Sequence, residues 1–454
     1  MAESTKPRPP LPPGPFLIIG LARSGVAAAL TLRAAGHEVI GCDSGSAEDQ
    51  RLSEAAERLS RAGVEVHLDA SGDAFAARAG TLIKSPGVPQ HAPAVVAARE
   101  SGLPVLGEFE LAWRLLANEF VAVTGTNGKT TTTEWIGHVH REAGLSAAVA
   151  GNVGRPLSDL VGTIDPEATV ICEASSFQLE DTTYFSPEAS VLLNLAPDHL
   201  DRHPTYEDYV AAKLRIFANQ GNDDVAVIAD DLGIEDIGGC ARQVLFGSGP
   251  EAELADRAGY LWWDSRPLVR HEEISLPGAH NRQNAMATAA VCLARGVEPE
   301  AVAAGLRTFS GVAHRLELLA VVDGVSYVND SKATNVASTI VALRAYQGGV
   351  HLIAGGDGKR QDFTPLAPVV AERCEVVYLI GQAAPELADA LAGSEVPLRD
   401  VGDLEHAVRA ARAAATPGEV VLLSPASASY DQYRNFEERG EHFRRLVGAL
   451  AGAV

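Results

Sequence analysis

Short apolar runs alternate with longer amphipathic segments along almost the whole chain. The runs FLII (16–19), FVAVT (120–124), TVIC (169–172) and VVLL (420–423) each consist of apolar or β-favouring residues. The Ala-, Leu- and Arg-rich segments between them are typical of helices. Continuous apolar strands separated by helices indicate parallel sheets that are covered on both faces. The pattern therefore predicts an α/β fold of three consecutive domains.

Breaks in this alternation suggest the domain boundaries. We predict domains at residues 15–118, 119–310 and 311–454, preceded by a Pro-rich leader, residues 1–14, that we expect to be disordered. A more broken stretch, residues 243–277, contains several turn residues and predicts short antiparallel strands.

Composition and charge exclude some classes of protein. The chain is 46% hydrophobic and 21% charged, and its net charge of −22 argues against broad binding to nucleic acid or to an anionic membrane. No apolar run is long enough to span a bilayer, and the leader lacks the apolar core of a signal peptide. The five cysteines lie far apart without a CxxC spacing, so we expect reduced, buried thiols and a cytoplasmic location.

The segment TGTNGKTT follows an apolar run and leads into a helix. A strict Walker A motif fails here, because Val123 stands where its first glycine is required. The segment still offers small residues, a helix N-terminus, a lysine for phosphate oxygens and a hydroxyl for Mg²⁺. The alternative is an Asn-Gly turn before a helix. The candidate phosphate-binding residues are Gly125, Thr126, Asn127, Gly128, Lys129, Thr130 and Thr131.

Two later strands end in possible metal ligands. Glu173 closes the run TVIC, and a carboxylate at the end of a neighbouring strand can hold the metal of a P-loop site. The segment PDHLDRH carries Asp198, His199, Asp201 and His203, whose spacing could suggest zinc. Next to a nucleotide site we favour Mg²⁺ with one imidazole, and a solvated turn remains the alternative.

The first domain contains a degenerate dinucleotide-binding pattern. GLARSG (20–25) follows a strand, but Ala22 replaces the middle glycine, and Asp43 ends the next strand. With ATP assigned to the central domain, the first domain could bind another phosphate or ribose, together with the loop KSPGV (84–88).

Eight motifs occur in one order along the chain, namely GTNGKTT, EASSFQLE, PDHLDRH, GAHNRQNA, HRLE, NDSKATN, GGDGK and SPASASYDQYRNFEERG. Together they resemble the bacterial Mur ligases, and within them the branch that adds D-glutamate. One departure is Pro197, where the family often has an acidic residue. The resemblance implies a Rossmann-like N-terminal domain, a central P-loop domain and a Rossmann-like C-terminal domain.

The resemblance also implies an activity. We expect an ATP-dependent, ADP-forming ligase that adds D-glutamate to UDP-N-acetylmuramoyl-L-alanine in cytoplasmic peptidoglycan precursor synthesis. ATP would phosphorylate the substrate carboxylate, and the amine would attack the acyl phosphate to give a tetrahedral intermediate. Such a reaction concentrates negative charge, so positioned cations and Mg²⁺ carry most of the catalysis.

Site residues follow from the matching motifs. The implied catalytic residues are Lys129, Glu173, His199, Lys213 and Arg315. Two Mg²⁺ ions would be held by Thr130, Glu173, His199 and a carbamylated Lys213. Besides the loop residues, ATP would contact Asn281, Asn284, Arg315 and Asp330. The UDP-linked substrate would contact Arg23, Ser24, Asp43, Ser44, Ser85, Pro86, Gly87 and Asn152. D-Glutamate would contact Lys332, Thr334, Lys359, Ser429, Tyr430 and Phe436.

Alternatives remain open at this point. Lys213 could be a surface lysine beside Arg215, Asn281 could be a helix N-cap, and Arg315 or Asp330 could form an interdomain ion pair. A folylpolyglutamate synthase and a non-catalytic UDP-sugar or ATP sensor are the competing functions. We expect a monomer that binds neither nucleic acid nor a membrane.

Overall fold

The computed structural model describes residues 6–152, 154–199, 202–234, 236–358 and 361–451. The chain divides into two compact units, Met1–Ser310 and Gly311–Val454. The first unit contains two β-sheets and the second contains one. The predicted α/β fold is confirmed, whereas the division of the first unit into two domains stays a prediction.

A parallel five-stranded sheet begins the first unit, in the order β3-β2-β1-β4-β5. Its strands are β1 (Phe16–Ile19), β2 (Val39–Cys42), β3 (Glu65–His67), β4 (Thr81–Lys84) and β5 (Val105–Gly107). Its helices are α1 (Arg23–Ala34), α2 (Gln50–Arg61), α3 (Pro93–Glu100) and α4 (Glu108–Leu115). The strand order reverses at β1, and ligands of such sheets bind at the carboxyl ends of the strands beside the reversal.

The second sheet has nine strands, in the order β14-β13-β12-β11-β10-β9-β6-β8-β7. The strands are β6 (Phe120–Thr124), β7 (Ala147–Gly151), β8 (Thr169–Glu173), β9 (Ala189–Leu192), β10 (Val225–Ala229), β11 (Arg242–Gly247), β12 (Leu254–Arg257), β13 (Tyr260–Trp263) and β14 (Arg266–Arg270). The helices are α5 (Lys129–Glu142), α6 (Ser176–Leu179), α7 (Tyr206–Leu214), α8 (Ala279–Ala294) and α9 (Pro299–Thr308). The antiparallel prediction for residues 243–277 is right for the pairs β12–β13 and β13–β14. It is wrong for β11, which continues the parallel sheet between β10 and β12.

The second unit folds around a six-stranded sheet, in the order β15-β16-β20-β17-β18-β19. Its strands are β15 (Glu317–Val322), β16 (Val325–Asn329), β17 (Val350–Gly355), β18 (Cys374–Ile380), β19 (Leu398–Gly402) and β20 (Val420–Leu423). Its helices are α10 (Val336–Arg344), α11 (Ala367–Arg373), α12 (Ala384–Leu391), α13 (Leu404–Ala414) and α14 (Phe436–Ala451). β15 pairs antiparallel with β16 and the other pairs are parallel, with apolar clusters on both faces of the sheet.

Short 3₁₀ helices add to the secondary structure of the described residues. They lie at Asp73–Arg78, Leu157–Leu160, His271–Glu273, Thr364–Leu366 and Ala392–Ser394. Within the described ranges, no helix combines the length and apolar character needed to cross a bilayer.

Helix α4 joins the first two sheets. Phe109 and Trp113 on this helix pack edge-to-face against Phe185, which precedes β9. The buried Glu110 carboxylate accepts hydrogen bonds from the backbone N–H groups of residues 183–185 and pairs with Arg114. The carboxyl group thereby satisfies backbone donors that would otherwise be buried without partners.

The leader is not a free tail over residues 6–14, so the expectation of disorder is wrong there. The Lys6 ammonium lies 2.7 Å from Asp224, and the Arg8 guanidinium donates to the carbonyl of Asn118 and lies 4.3 Å from the Trp113 ring centroid. These partners come from distant parts of the sequence, and local composition carries no signal of them.

The prediction of buried thiols needs one correction, because Cys240 is exposed while the other four cysteines are buried.

Candidate active site

The phosphate loop connects β6 to α5. Gly125 and Gly128 have φ angles of 151° and 83°, which favour glycine. A Cβ on Gly128 would lie 2.2 Å from the Asn284 side-chain oxygen. Position 128 therefore requires glycine for two reasons, the backbone angle and the lack of space for a side chain. The Lys129 ammonium folds back onto the loop and donates to the carbonyls of Gly125 and Thr126 at 3.0 and 2.8 Å. The loop is therefore compact, with Lys129 at the helix N-terminus where phosphates bind.

Asn194, which the sequence analysis missed, holds this loop in shape. Its side-chain oxygen accepts from the Asn127 N–H at 2.8 Å, and its side-chain nitrogen donates to the Asn127 carbonyl at 3.1 Å. Its own carbonyl accepts from the N–H of Thr126 at 3.0 Å. The available signal was an amide at the end of β9, the strand beside β6, whose carboxyl end lies at the same edge of the sheet.

Replacing this clamp should weaken ATP binding without unfolding the protein. We expect Asn194→Ala to raise the KM for ATP by about tenfold, because two hydrogen bonds that fix the loop are lost. Initial-rate kinetics with ATP varied would measure the change, and thermal denaturation would test the fold. An unchanged KM for ATP would contradict a role for Asn194 in shaping the loop.

The buried Glu173 carboxylate lies beside the phosphate loop. Its side chain accepts from the Thr130 hydroxyl at 2.7 Å and from the Asn152 side-chain amide at 3.0 Å. Only 3% of Glu173 is exposed, so an ionised carboxylate there needs such partners or a cation. Carboxylate and hydroxyl oxygens are hard ligands that suit Mg²⁺. The donor set at Thr130 and Glu173 therefore fits the predicted metal.

Two lysines converge on one carbonyl group. Lys129 and Lys213 both donate to the oxygen of Gly125, at 3.0 and 2.8 Å. Lys213 lies on α7 with 2% of its surface exposed, so it is not the surface lysine of the alternative interpretation. Burial, followed by the charge of Lys129, lowers the pKa of Lys213 to about 7. In a large fraction of the molecules, the Lys213 side chain is therefore a neutral amine near neutral pH.

The Asp-His turn after β9 presents His199 at the surface. His199 has a φ of 53°, and its N–H donates to the Asp198 carboxylate at 2.9 Å. Its imidazole packs on the Phe177 ring, with centroids 4.8 Å apart. Within the described part of the chain, no three His, Cys, Asp or Glu side chains come together as a metal site. The described residues thus provide no zinc centre, and Asp201 lies outside them.

The two asparagines of α8 occupy its first turns. Asn284 lies against Gly128 and the Thr132 hydroxyl, and Asn281 donates to the Pro277 carbonyl at 2.9 Å. The N-cap of α8 is Gly278, so Asn281 is not the cap. Asn284 therefore adjoins the phosphate loop, and its contact with ATP stays a prediction.

Three loops of the first sheet meet around Gly20. Arg23 and Ser24 begin α1, and Gly25 on the same turn has no room for a Cβ, which would lie 1.8 Å from the Gly20 carbonyl. The Asp43 carboxylate accepts from the N–H groups of Leu21 and Gly45 at 2.7 and 2.8 Å. Asp43 thus shapes the first and second loops, with Ser44 exposed beside it.

The third loop is attached to the same point. The Ser85 hydroxyl donates to the Gly20 carbonyl at 2.7 Å, and Pro86 and Gly87 follow at the surface. The structure therefore brings the predicted UDP-binding residues of these three loops together at the carboxyl ends of β1, β2 and β4. Asn152, the remaining residue of that group, lies instead at Glu173.

In the second unit, Asp330 follows β16 and is almost completely buried. Its carboxylate accepts from the Ser424 hydroxyl at 2.7 Å and from the Leu316 N–H at 3.2 Å. Burial raises the pKa of Asp330 to about 6. Arg315 is exposed on the segment that precedes β15.

Arg439, which sequence patterns do not single out, joins two segments that carry predicted D-glutamate residues, 331–334 and 427–430. Its buried guanidinium donates to the hydroxyl and carbonyl of Ser331 at 3.0 and 2.9 Å and to the Ser427 carbonyl at 3.1 Å. Lys332 and Thr334 continue the Ser331 turn, and buried Ser429 and exposed Tyr430 continue the Ser427 segment. Phe436 starts α14, and its carbonyl accepts from the Ser331 hydroxyl at 2.8 Å. Lys359 lies outside the described residues.

Comparisons with known proteins agree with this architecture. The pattern of the Mur ligase middle domain matches residues 123–292, and that of the Mur ligase, glutamate ligase domain, matches residues 314–427. A UDP-N-acetylmuramoylalanine–D-glutamate ligase of Acidobacterium capsulatum is 43% identical over 451 residues, covering 96% of this chain and 97% of the relative. The UDP-N-acetylmuramate–alanine ligase MurC of Thermotoga maritima has a TM-score of 0.58 at 19% identity, covering 96% of this chain and 100% of its own. The MurF ligase of the same organism, solved with ADP, has a TM-score of 0.56 at 17% identity, covering 91% and 95%.

The fold and the loop after β6 define a P-loop, nucleotide-binding α/β protein. The two solved structures support the fold alone, because their identity to this chain is low. The identity of 43% along nearly the full length is specific, and the chain belongs to the Mur ligase family. The family indicated by the eight motifs is thereby confirmed.

Proposed function

We propose that the chain is an ATP-dependent, ADP-forming ligase that adds D-glutamate to UDP-N-acetylmuramoyl-L-alanine in peptidoglycan precursor synthesis. The name of the Acidobacterium relative supports this substrate pair, and the match to the Mur ligase middle domain supports the use of ATP. The observation that carries the proposal is the convergence of Lys129, Lys213 and the Thr130–Glu173 pair around the phosphate loop.

The reaction joins a carboxylate to an amine in two stages. The γ-phosphoryl group of ATP passes to the carboxylate of the L-alanyl residue, giving an acyl phosphate and ADP. The amine of D-glutamate then adds to the acyl carbon, and the tetrahedral intermediate expels phosphate to leave the amide. Negative charge builds up in both stages, so fixed cations lower both barriers.

The residues at the phosphate loop, together with Arg315, would stabilise this negative charge. The N–H groups of the loop Gly125–Gly128 and Lys129 would hold the phosphates, and Thr130 with Glu173 would hold one Mg²⁺. Mg²⁺ bound there would neutralise phosphate charge and orient the transferred group. Arg315 would reach the γ-phosphate, a role that suits an always-charged guanidinium.

A second Mg²⁺ would use His199 and a carbamylated Lys213. The neutral Lys213 amine adds to CO₂ and releases a proton, which converts a buried cation into an anionic oxygen ligand. Two arguments support this step. Burial and the nearby charge of Lys129 favour the neutral amine of Lys213, and a Lys213 ammonium would repel a metal ion.

Different groups of residues would bind the substrates. The loops at Gly20, Asp43 and Ser85 would hold UDP, with Asn152 near the reacting carboxylate. Asn281, Asn284 and Asp330 would contact the nucleoside of ATP. The cations and hydroxyls of the D-glutamate group, namely Lys332, Thr334, Lys359, Ser429 and Tyr430, with Phe436, would receive the amino acid and its two carboxylates.

The cellular setting is part of the proposal. ATP and a UDP-linked sugar are cytoplasmic compounds, which supports a cytoplasmic enzyme. The net charge of −22 supports small-molecule partners over nucleic acid or an anionic membrane. We propose that the active form is a monomer.

The test is ADP release in the presence of UDP-N-acetylmuramoyl-L-alanine while the amino acid is varied. D-Glutamate should support turnover, and L-lysine, L-alanine and L-glutamate should not. ADP release with another amino acid alone would overturn the specificity. No release with any of them, together with tight nucleotide binding, would favour a sensor, and glutamate transfer to a folate would favour a folylpolyglutamate synthase.

A further inference from the structure

The loop after β4, Ser85–Val88, is attached to the first sheet at its start. The Ser85 N–H donates to the Ile19 carbonyl at 3.0 Å, and its hydroxyl donates to Gly20. The Val88 N–H donates back to the Ser85 carbonyl at 3.0 Å and closes a tight turn. This end of the loop is thus fixed to the turn that opens α1.

The other end of the loop contacts Lys84 at the end of β4 and Arg202, which follows β9 of the second sheet. The Val88 carbonyl accepts from the Lys84 ammonium at 2.8 Å and from the Arg202 guanidinium at 2.9 Å. The buried Lys84 also pairs with Asp181 at 2.8 Å, and Asp181 accepts from the side-chain amide of Gln90 at the same distance. A carbonyl oxygen has two lone pairs, and charged donors on both fix its position strongly.

Arg202 belongs to the turn that carries His199. Its N–H donates to the His199 carbonyl at 3.0 Å, and its guanidinium lies 4.8 Å from the centroid of the Phe177 ring. His199 packs on that same ring. Arg202 therefore connects the Val88 carbonyl with the Phe177–His199 pair.

We infer that Arg202 is a positioning residue that couples the Ser85–Val88 loop to the His199 turn. The inference rests on the proposed function, in which that loop holds the UDP end of the substrate and His199, on the turn, belongs to the catalytic centre where the substrate carboxylate reacts. One substrate then has to satisfy two sites at once, and a fixed spacing between them increases the affinity for the whole molecule. Arg202 itself contacts protein groups, so it acts through the loop and the turn.

The guanidinium suits this task because it can stack on an aromatic face while its edge donates hydrogen bonds. A residue that only stabilised the loop would affect every ligand of the loop equally. A residue that sets the spacing should affect a ligand that reaches both sites and spare a ligand that fills only one. This difference separates coupling from simple structural support.

The experiment compares two ligands in wild type and Arg202→Gln by isothermal titration calorimetry. UDP reaches only the loop, whereas UDP-N-acetylmuramoyl-L-alanine reaches the loop and the turn. We expect the variant to bind the whole substrate about tenfold more weakly and to change UDP binding by less than about twofold. The KM for ATP should stay within the same twofold range. Arg61→Gln removes an exposed arginine from α2 and is the matched control.

Each outcome decides the inference. Equal weakening of both ligands, or no weakening of the whole substrate, would overturn it. If circular dichroism showed Arg202→Gln to be unfolded, the same comparison with Arg202→Lys would test the inference. Lysine keeps the positive charge but lacks the planar guanidinium that stacks on Phe177. Failure of the proposed function is distinguishable, because wild type would then bind the whole substrate no better than UDP, and both proposals would fall.

Discussion

Lys213→Met should abolish most ligase activity while leaving the protein folded. We expect the rate of ADP release to fall by about 10²–10³-fold, the usual cost of removing a group that stabilises developing charge. Methionine matches the length of lysine without its nitrogen, and Lys129 still donates to the Gly125 carbonyl after the change, so the thermal midpoint should change little. The measurements are coupled-enzyme kinetics and thermal denaturation of the same preparations.

Two further variants identify what Lys213 contributes. Lys213→Arg retains a cation but cannot form a carbamate, so it should be as inactive as the methionine variant, and bicarbonate should rescue neither. Glu207→Gln, on the exposed first turn of the same helix, should retain the wild-type rate. Carbon-13 bicarbonate should give a carbamate resonance in wild type that Lys213→Met lacks. If Lys213→Arg were active, the carbamate would be contradicted, and the role of Lys213 would be that of a positive charge.

Local sequence was sufficient to predict the elements whose signal lies within a few residues. The run FVAVT followed by glycines and Lys129 marked β6, the loop and α5, because an apolar strand and a helix start adjoin in sequence. Strands such as β3 and β5 were missed, since each has only three residues and little apolar contrast. The resemblance added Lys213, whose burial and proximity to Lys129 only the fold reveals.

The residues that escaped prediction act through distant contacts. Asn194 clamps a loop about 70 positions away in the chain, and Arg439 reaches Ser331 across 108 positions. Arg202 lies within the PDHLDRH motif, but its partner is a backbone carbonyl, which has no sequence signature. Polar residues whose partners are backbone groups are therefore hardest to assign without coordinates, even when a neighbouring motif is recognised.

Glu173→Gln should have a comparably large effect, through the metal instead of the lysine. The amide keeps the size of the side chain and can still accept from the Thr130 hydroxyl, so the fold should persist. It lacks the charge that attracts Mg²⁺ to a buried site. We expect the maximal rate to fall by about 10²–10³-fold and the half-saturating Mg²⁺ concentration to rise. Titration of ADP release with Mg²⁺ measures both.

Glu188→Gln provides the matched control, because Glu188 is also buried and accepts from the backbone N–H of Phe120 at 2.7 Å, where β6 begins. That end of the strand is opposite to the phosphate loop, so this change should lower the unfolding midpoint and leave the Mg²⁺ dependence unaltered. If Glu173→Gln behaved in the same way, the Glu173 carboxylate would have to be regarded as structural support. A carboxylate that holds a metal predicts the reverse, namely a stable protein whose rate no longer responds to Mg²⁺ at ordinary concentrations.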